Sequence, residues 1–481
     1  MTLCRSLWYL GFTAWLGACS LGPDYVKPAV QVPAAFKEAQ GWKVAQPRDT
    51  LPKGKWWEIF ADPELNALVE QVDVSNQNIR AVEAQFRQAQ SLAQQARAGL
   101  YPNISGSASV TRSQAGTGKS GGASAPVTMH TLGLDASWET DIWGKVKRSV
   151  ESSNAAAQAS AADMQAAKLS VQATLAQDYF LLRVADTRKQ LFDDTVAAYE
   201  KSLQLTRNQY AAGVAARGDV VVAETQYKSA QAQAMDVGVQ RAQLEHAIAV
   251  LIGQAPADFS ITARVFKPVF PNIPVGIPSD MLERRPDVAS AERNAAAANA
   301  KIGVAQAAFY PDLTLSATAG FQSSSFANWL SFPSRFWSLG PALAQTLFDG
   351  GLRRAQTEQA IAVFDQNAAL YRQTTLTAFQ EVEDNLAALR ILEQEAQLQD
   401  DAVSAARESV AVTTNQYKAG VVSYINVVNV QTIALTNERN ALNILSNRLS
   451  AAVLLIKALG GGWDSAELGE VATTAPRQQV Q

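Results

Sequence analysis

Asn208-Gln209-Tyr210-Ala211-Ala212-Gly213-Val214 and Asn415-Gln416-Tyr417-Lys418-Ala419-Gly420-Val421 are one turn written twice. Each closes a stretch without Gly or Pro, residues 145–212 and 352–419, in which apolar residues recur at helical spacing, as at Leu175, Tyr179 and Leu182. Roughly 60 helical residues reach about 90 Å at 1.5 Å per residue. A helix of that length needs a coiled-coil partner rather than a globular core. Gly213 and Gly420 are placed to cap the two helices and reverse the chain. Return helices then run to about residues 252 and 459, the second with Leu435, Leu442, Leu445, Leu449 and Ile456 on one stripe.

Upstream of each long helix the period changes from helical to two. After Tyr101-Pro102-Asn103, the residues Ile104, Gly106, Ala108 and Val110 alternate with Ser105, Ser107, Ser109 and Thr111. A Gly/Ser-rich loop, residues 116–126, leads to Leu132, Leu134, Ala136 and Trp138 alternating with Thr131, Gly133, Asp135 and Ser137. Tyr310-Pro311-Asp312 opens a second such region. There Leu313, Leu315, Ala317 and Ala319 alternate with Thr314, Ser316 and Thr318, and a returning strand is expected over residues 337–347, weakened by Pro341. Each half is therefore helix, hairpin, very long helix, sharp turn, return helix, repeating at an interval of roughly 207 residues. A helix over residues 64–98, started by Asp62-Pro63, precedes the first hairpin.

Composition removes several functions. The chain has 481 residues, 41 Lys plus Arg against 44 Asp plus Glu, and a net charge of −3, which argues against nucleic acid as a partner. The two histidines, His130 and His246, and the two cysteines, Cys4 and Cys19, supply no zinc site, no disulfide scaffold and no general-base network. No nucleophile–base or metal constellation points to an enzyme or a cofactor. Gly116-Thr117-Gly118-Lys119-Ser120 imitates the end of a phosphate loop, but its required first Gly falls at Ser113 and no buried strand precedes it. Asp193-Asp194 and Asp400-Asp401 lie within long helices and read as solvated faces. His246 reads as structural. Asp287 reads as a first-turn acid beside a helix dipole.

The N-terminus reads as an export signal, residues 1–18. Arg5 is followed by an apolar run of about ten residues, too short to span a bilayer, ending in Leu16-Gly17-Ala18-Cys19. Small residues before a Cys resemble a bacterial lipobox, which implies an N-acyl and S-diacylglycerol lipid on Cys19; Ser20 after it favours the outer membrane by the same sorting rules. No further apolar run of spanning length is expected, so any crossing of the membrane must use strands closed into a barrel. Trp138, Trp143, Phe336 and Trp337 fall at or near strand ends and Trp329 in a hairpin loop, where headgroup depth suits them.

Four strands cannot close a barrel. Three chains supply twelve, and a cyclic trimer would close the barrel and the helices around one axis. With Asp141-Ile142-Trp143-Gly144, Leu347-Phe348-Asp349-Gly350-Gly351 and Glu283-Arg284-Arg285-Pro286-Asp287, this plan resembles the TolC-type outer-membrane efflux factors, in their lipoprotein (NodT, OprM-like) branch. The resemblance implies an α+β membrane protein: a trimeric 12-stranded outer-membrane β-barrel continuous with a long α-helical periplasmic barrel, two structural repeats per chain. It further implies a periplasmic adaptor, an inner-membrane pump commonly of the resistance-nodulation-division class, and small toxic molecules or drugs as cargo. It also implies a gate at the periplasmic tip, whose candidates here are Arg217, Asp219, Tyr424, Asn426 and Asn429. Asn426 and Asn429 stand where many relatives carry carboxylates, so a cation-binding ring is not carried over. Arg217 and Asp219 are expected to make charged contacts across a closed tip.

The expected division is an arm over residues 19–61, a first repeat over 62–255 (hairpin about 103–139, tip about 213–219), a connector over 256–284, a second repeat over 285–460 (hairpin about 312–347, tip about 420–426) and a tail over 461–481. Two other functions fit the same pattern: a conduit for a type I protein secretion system, and a lipid-anchored periplasmic coiled coil with no membrane-spanning strands.

Overall fold

The computed structural model describes residues 20–38, 55–114, 125–266, 268, 270, 271, 273 and 281–465. The export signal, Cys19, the phosphate-loop imitation and most of the tail lie outside the described residues. In chain order the elements are α1 (Pro63–Ser75), α2 (Gln77–Ala98), β1 (Asn103–Ser113), β2 (Val127–Thr140), α3 (Lys145–Ala211), α4 (Arg217–Leu251), α5 (Pro286–Ala307), β3 (Asp312–Ser323), β4 (Arg335–Ala344), α6 (Leu352–Lys418) and α7 (Tyr424–Ala458), with short 3₁₀ turns and one four-residue helix between them. The repeat is literal: α3 and α6 have 67 residues each, α4 and α7 have 35 each.

One helix was expected over residues 64–98, and the structure breaks it at Asn76. That residue leaves the helical region (φ −65°, ψ 124°) and its side chain accepts from the Ile79 amide at 3.0 Å, capping α2. The same side chain donates to Leu251 O at 2.7 Å, and Ser75 Oγ donates to Ile252 O at 2.5 Å. The break exists because it satisfies the open carbonyls at the end of α4. At the other end of α1, Asp62 caps Glu64 and Leu65 with Pro63 in the first turn.

The strands form one antiparallel sheet in the order β1-β2-β3-β4. β4 begins two residues before the expected Trp337 and ends at Ala344 rather than Leu347. Pro341 lies within it opposite Leu315, on an edge strand of the sheet, where a missing N–H is tolerated.

The main core is a belt across the middle of the long helices. Leu175, Tyr179 and Leu182 of α3 and Tyr371, Val382 and Leu386 of α6 meet Leu65, Val69 and Val72 of α1, Ile248 of α4 and Leu449, Val453 and Ile456 of α7. Trp56 and Trp57 close the belt from the N-terminal side. Each fully buried aliphatic side chain contributes about 1.5–3 kcal/mol. Helix α7 is, among the described residues, long and apolar enough to cross a bilayer; its stripe instead fills this belt. Buried charges pin the connector to the belt. Arg183, wholly buried, pairs with Asp186 at 2.9 Å and with Glu64, and donates to Thr262 O at 2.8 Å; Arg241 bridges Asp186 and Glu245 at 2.7 and 2.8 Å.

The Glu283–Asp287 motif does more than start a helix. Arg285 is buried and forks onto Asp287 at 3.0 and 2.7 Å, reaches Glu381 of α6 at 2.7 Å, and donates to Ala458 O at 3.1 Å. A fixed guanidinium at the C-terminus of α7 also complements that helix dipole. Asp287 accepts from the Val288 amide as well, in the first turn of α5.

Residues 20–38 run as an extended arm over the helices. Leu21 N donates to Trp143 O at 3.2 Å. Arg148, buried, donates to Leu21 O, Gly22 O and Asp24 Oδ1 at 3.0, 3.2 and 3.0 Å. Tyr25 donates to Glu292 at 2.6 Å, and the Lys37 and Glu38 amides donate to Glu383 at 2.7 and 2.9 Å. The arm thus links the starts of α3 and α5 to the middle of α6.

Candidate functional site

The register sorts the sheet into two faces. Ile104, Gly106, Ala108 and Val110 of β1 share one face with Leu132, Leu134, Ala136 and Trp138 of β2, Leu315, Ala317, Ala319 and Phe321 of β3, and Trp337, Leu339, Pro341 and Leu343 of β4. This face is open: Ile104, Leu134, Leu339 and Leu343 are each more than 60% exposed, and Trp337 is 79% exposed. An exposed apolar surface running across four strands marks a membrane or a partner, not water. The opposite face carries Ser105, Ser107, Ser109, Thr131, Asp135, Ser137, Thr314, Ser316, Thr318 and Ser338. Asp135 accepts there from Thr318 Oγ1 at 3.0 Å and Ser107 Oγ at 3.4 Å. Both outer strands, β1 and β4, present unpaired backbone edges within the chain.

Equivalent aspartates build the two strand-to-helix joints. Asp141 accepts from the Val146 and Lys147 amides at 2.9 and 2.7 Å, at the start of α3. Asp349 accepts from the Gly351 and Arg353 amides at 3.0 and 3.4 Å, at the start of α6. Trp143 Nε1 donates to Pro311 O at 2.8 Å with its ring 4.8 Å from that of Tyr310, and Trp138 Nε1 donates to Leu100 O at 3.2 Å. These two tryptophans tie the end of β2 to the turns that lead into β1 and β3. Of the remaining rings expected at the interface, Trp337 lies on the apolar face, Trp329 packs with His130 and Phe326 in the outer loop, and Phe336 stands on the hydroxyl face.

The tip lies at the far end of the long helices. Gly213 (φ +77°) and Gly420 (φ +76°) reverse the chain in the left-handed region that a side chain disfavours. Between the hairpins lies a small core of Leu203, Ala223, Tyr417, Tyr424 and Val427. Tyr424 belongs inside it: it is buried, its ring lies 5.3 Å from that of Tyr417, and its hydroxyl donates to Gln226 at 3.3 Å. Burial beside Tyr417 pushes its phenol up to about 12. Asp219 accepts from the Ala216 amide at 3.3 Å, capping its own helix, while Arg217, Asn426 and Asn429 are exposed. Asn426 donates to Ser423 Oγ at 3.0 Å.

The other candidates resolve simply. Asp193 pairs with Lys189 at 2.5 Å and Asp194 accepts from Gln190 at 2.9 Å, both exposed, as are Asp400 and Asp401. His246 is exposed on α4 rather than packed. No cluster able to hold a metal is present among the described residues. Ser20, the neighbour of Cys19, packs against Gly144, where an added Cβ would lie 3.0 Å from Ser20 Cα. Sequence reasoning passed over Arg148, the partners of Arg285 and the position of Asp135. Arg285 carried a signal, an Arg before a helix-starting Pro with an acid two residues on, whereas the partners of Arg148 are arm carbonyls that no pattern announces.

Comparison with known proteins agrees with this geometry. Residues 68–254 and 277–461, one segment in each repeat, match the family described as outer membrane efflux protein. A probable efflux pump outer membrane protein of Pseudomonas putida, TtgC, is 30% identical over 465 residues, covering 95% of this chain and 96% of the relative. The solvent efflux pump outer membrane protein SrpC of Pseudomonas putida is 32% identical over 458 residues, covering 93% and 96%. The solved outer-membrane channel OprN superposes with a TM-score of 0.87 at 29% identity, covering 92% of this chain and all of that one. With both repeats matched and near full-length relatives at 30% and 32% identity, the chain belongs to the outer membrane efflux protein family.

Proposed function

We propose that the chain is the outer-membrane channel of a tripartite efflux system, passively conducting small toxic molecules from an inner-membrane pump and its periplasmic adaptor to the exterior. The observation that carries this is the sheet: one face exposed and apolar, the other hydroxyl-lined, with both edges unpaired. Such a sheet is stable in a bilayer only when copies close it, and three copies close twelve strands around a wet lumen. The helical hairpins of the same three copies continue that lumen into the periplasm. Relatives named for solvent and antibiotic efflux support small molecules as cargo, and a proton-driven pump of the resistance-nodulation-division class fits that cargo.

Cys19 carries the N-acyl and S-diacylglycerol lipid in this reading. The described arm starts at Ser20, beside Gly144 at the strand-to-helix joint, which supports an anchor of several acyl chains at the membrane surface. At the tip, Asn426 and Asn429 leave the aperture neutral, and Arg217 with Asp219 supplies the charged contacts between copies. Substituting both by Ala raises single-channel conductance if those contacts hold the aperture.

The experiment for the whole reading is reconstitution of purified, acylated protein in planar bilayers beside heat-modifiable gel migration. Stepwise conductance with an oligomeric band supports it. A single-copy species that leaves bilayers impermeable refutes it. Loss of the gene should raise susceptibility to a panel of toxic compounds.

A further inference from the structure

On the hydroxyl face, one row of the register runs across all four strands as Ser107, Gly133, Gly320 and Phe336. The next row toward the helices is Ser105, Asp135, Thr318 and Ser338. Two successive glycines leave bare backbone in the first row, and the ring of Phe336 covers it. A Cβ built on Gly320 would stand 3.0 Å from Phe336 Cε1 and 2.1 Å from Leu132 O. One built on Gly133 would stand 3.9 Å from Phe336 Cζ and 3.9 Å from Asp135 Oδ2. Ring edge and carboxylate therefore flank one point above Gly133.

Both groups break the pattern of their face. Phe336 is the only aromatic ring on it among the described strand residues. Asp135 is held by the hydroxyls of Ser107 and Thr318 and pairs with no cation among the described residues, whereas Glu139 and Asp312 share Lys145 at 2.9 and 3.6 Å. Arg335, one residue from Phe336, falls on the opposite face in the register and donates to Phe332 O at 3.3 Å. A carboxylate with no cationic partner among the described residues, beside a half-buried ring, matches a ligand that is itself apolar and positively charged.

We propose that Phe336 and Asp135 form a lumenal contact site for apolar organic cations, one per chain, which makes them specificity-determining residues for what the channel passes. The inference rests on the channel reading above. The ring offers its π-face and apolar area to the ligand, and the carboxylate, as in acidic rings that favour cations in pores, offers charge. Gly133 and Gly320 let the ring itself sit close against the wall, next to the carboxylate.

The test is block of ionic current through the acylated protein in planar bilayers, with tetraphenylphosphonium as probe and benzenesulfonate as the anionic counterpart. Phe336→Leu keeps an apolar cover over the glycines, and Asp135→Asn keeps the hydrogen bonding size; heat-modifiable migration checks that both assemble. Each variant is expected to raise the half-blocking concentration of tetraphenylphosphonium by roughly three-fold, with no such loss for benzenesulfonate. Equal half-blocking concentrations in wild type and both variants overturn the site while leaving the channel intact. Absence of any conductance in wild type overturns the channel reading, and the site with it.

Discussion

Four glycines test the architecture, because they share a backbone conformation and differ in what surrounds them. Gly213 and Gly420 reverse the chain at the tip with φ of +77° and +76°; Gly253 and Gly460 end the return helices at the belt with φ of +71° and +90°. Members of each pair occupy the same place in the two repeats. At the tip, nothing lies within 4 Å of a Cβ added to either glycine. At the belt, the added atom would stand 2.4 Å from Ser75 O at Gly253 and 1.9 Å from Arg284 O at Gly460. Substitution at the tip therefore costs only the left-handed conformation, about 1–2 kcal/mol for Ala and less for Asn, which tolerates that region. At the belt the same substitution must also push two backbones apart, adding about 1–3 kcal/mol or more of overpacking. The assay is thermal loss of the purified oligomer, followed by circular dichroism and heat-modifiable migration, with the four Gly→Asn variants ranked rather than converted to free energies, since unfolding of such an assembly is governed by rate. Gly213→Asn and Gly420→Asn should melt within about 2 °C of wild type. Gly253→Asn and Gly460→Asn should melt clearly lower or fail to assemble. Equal losses at tip and belt would refute the claim that the belt glycines are there for close approach and the tip glycines for direction alone.

Other consequences are as direct. Removing Arg285 strands Asp287, Glu381 and Ala458 O around one buried position; Arg285→Ala should cost about 2–4 kcal/mol, discounted because both carboxylates are partly exposed, and Arg285→Lys should recover only part of it because the fork is lost, as read by melting. Tyr424→Ala should empty the tip core at about 3–5 kcal/mol of local stability and raise channel conductance, whereas Tyr424→Phe, which loses only a long hydrogen bond, should leave conductance near wild type; similar conductance in both variants would count against the tip core as a clamp. Burial with no opposing charge pushes the Asp178 carboxyl up to about 6. A raised carboxyl penalises the folded state once ionised, so the penalty is absent below pH about 4, grows as pH rises toward about 6 and persists above. Asp178→Asn should thus raise the melting temperature at pH 7.5, by the equivalent of about 1 kcal/mol after allowing for partial exposure, and leave it unchanged at pH 4; an equal effect at both would refute the origin in ionisation.

What the sequence displays is what repeats. The Gly- and Pro-free stretches, the glycine reversals and the period-two runs depend on local propensity and on burial that recurs with the helix or strand period, so the long helices and the hairpins were readable down to a few residues. What it conceals is long-range hydrogen bonding. Nothing near Asn76 announces a helix break, because the reason for it lies at Leu251 and Ile252, far along the chain. Tyr424 sits beside a turn, where exposure is the ordinary expectation, yet a second hairpin turns that position into a core. The end of β4 was overrun for a similar reason: alternation continues toward Leu347, but Asp349 claims the next amides for the start of α6.

The hydroxyl face shows where legibility gives way to function. A strand face written for water needs only small polar residues, and β1 with the middle of β2 and β3 largely complies, from Ser105, Ser107 and Ser109 to Thr131, Ser137, Ser316 and Thr318. Consistency of that kind specifies a fold, and departures from it have to be supported by something other than folding. Gly133 and Gly320 weaken a sheet by themselves, and a ring is needed over them only if the glycines are kept. Gly320 is required by the pairing itself, since an added Cβ would stand 2.1 Å from Leu132 O, whereas at Gly133 the nearest atom is Ser107 Oγ at 3.4 Å and a small side chain would fit. Gly133, the ring of Phe336 over it and Asp135, without a cationic partner among the described residues, are therefore the departures that strand pairing does not demand. The remaining demand at a wet wall is contact with what passes along it.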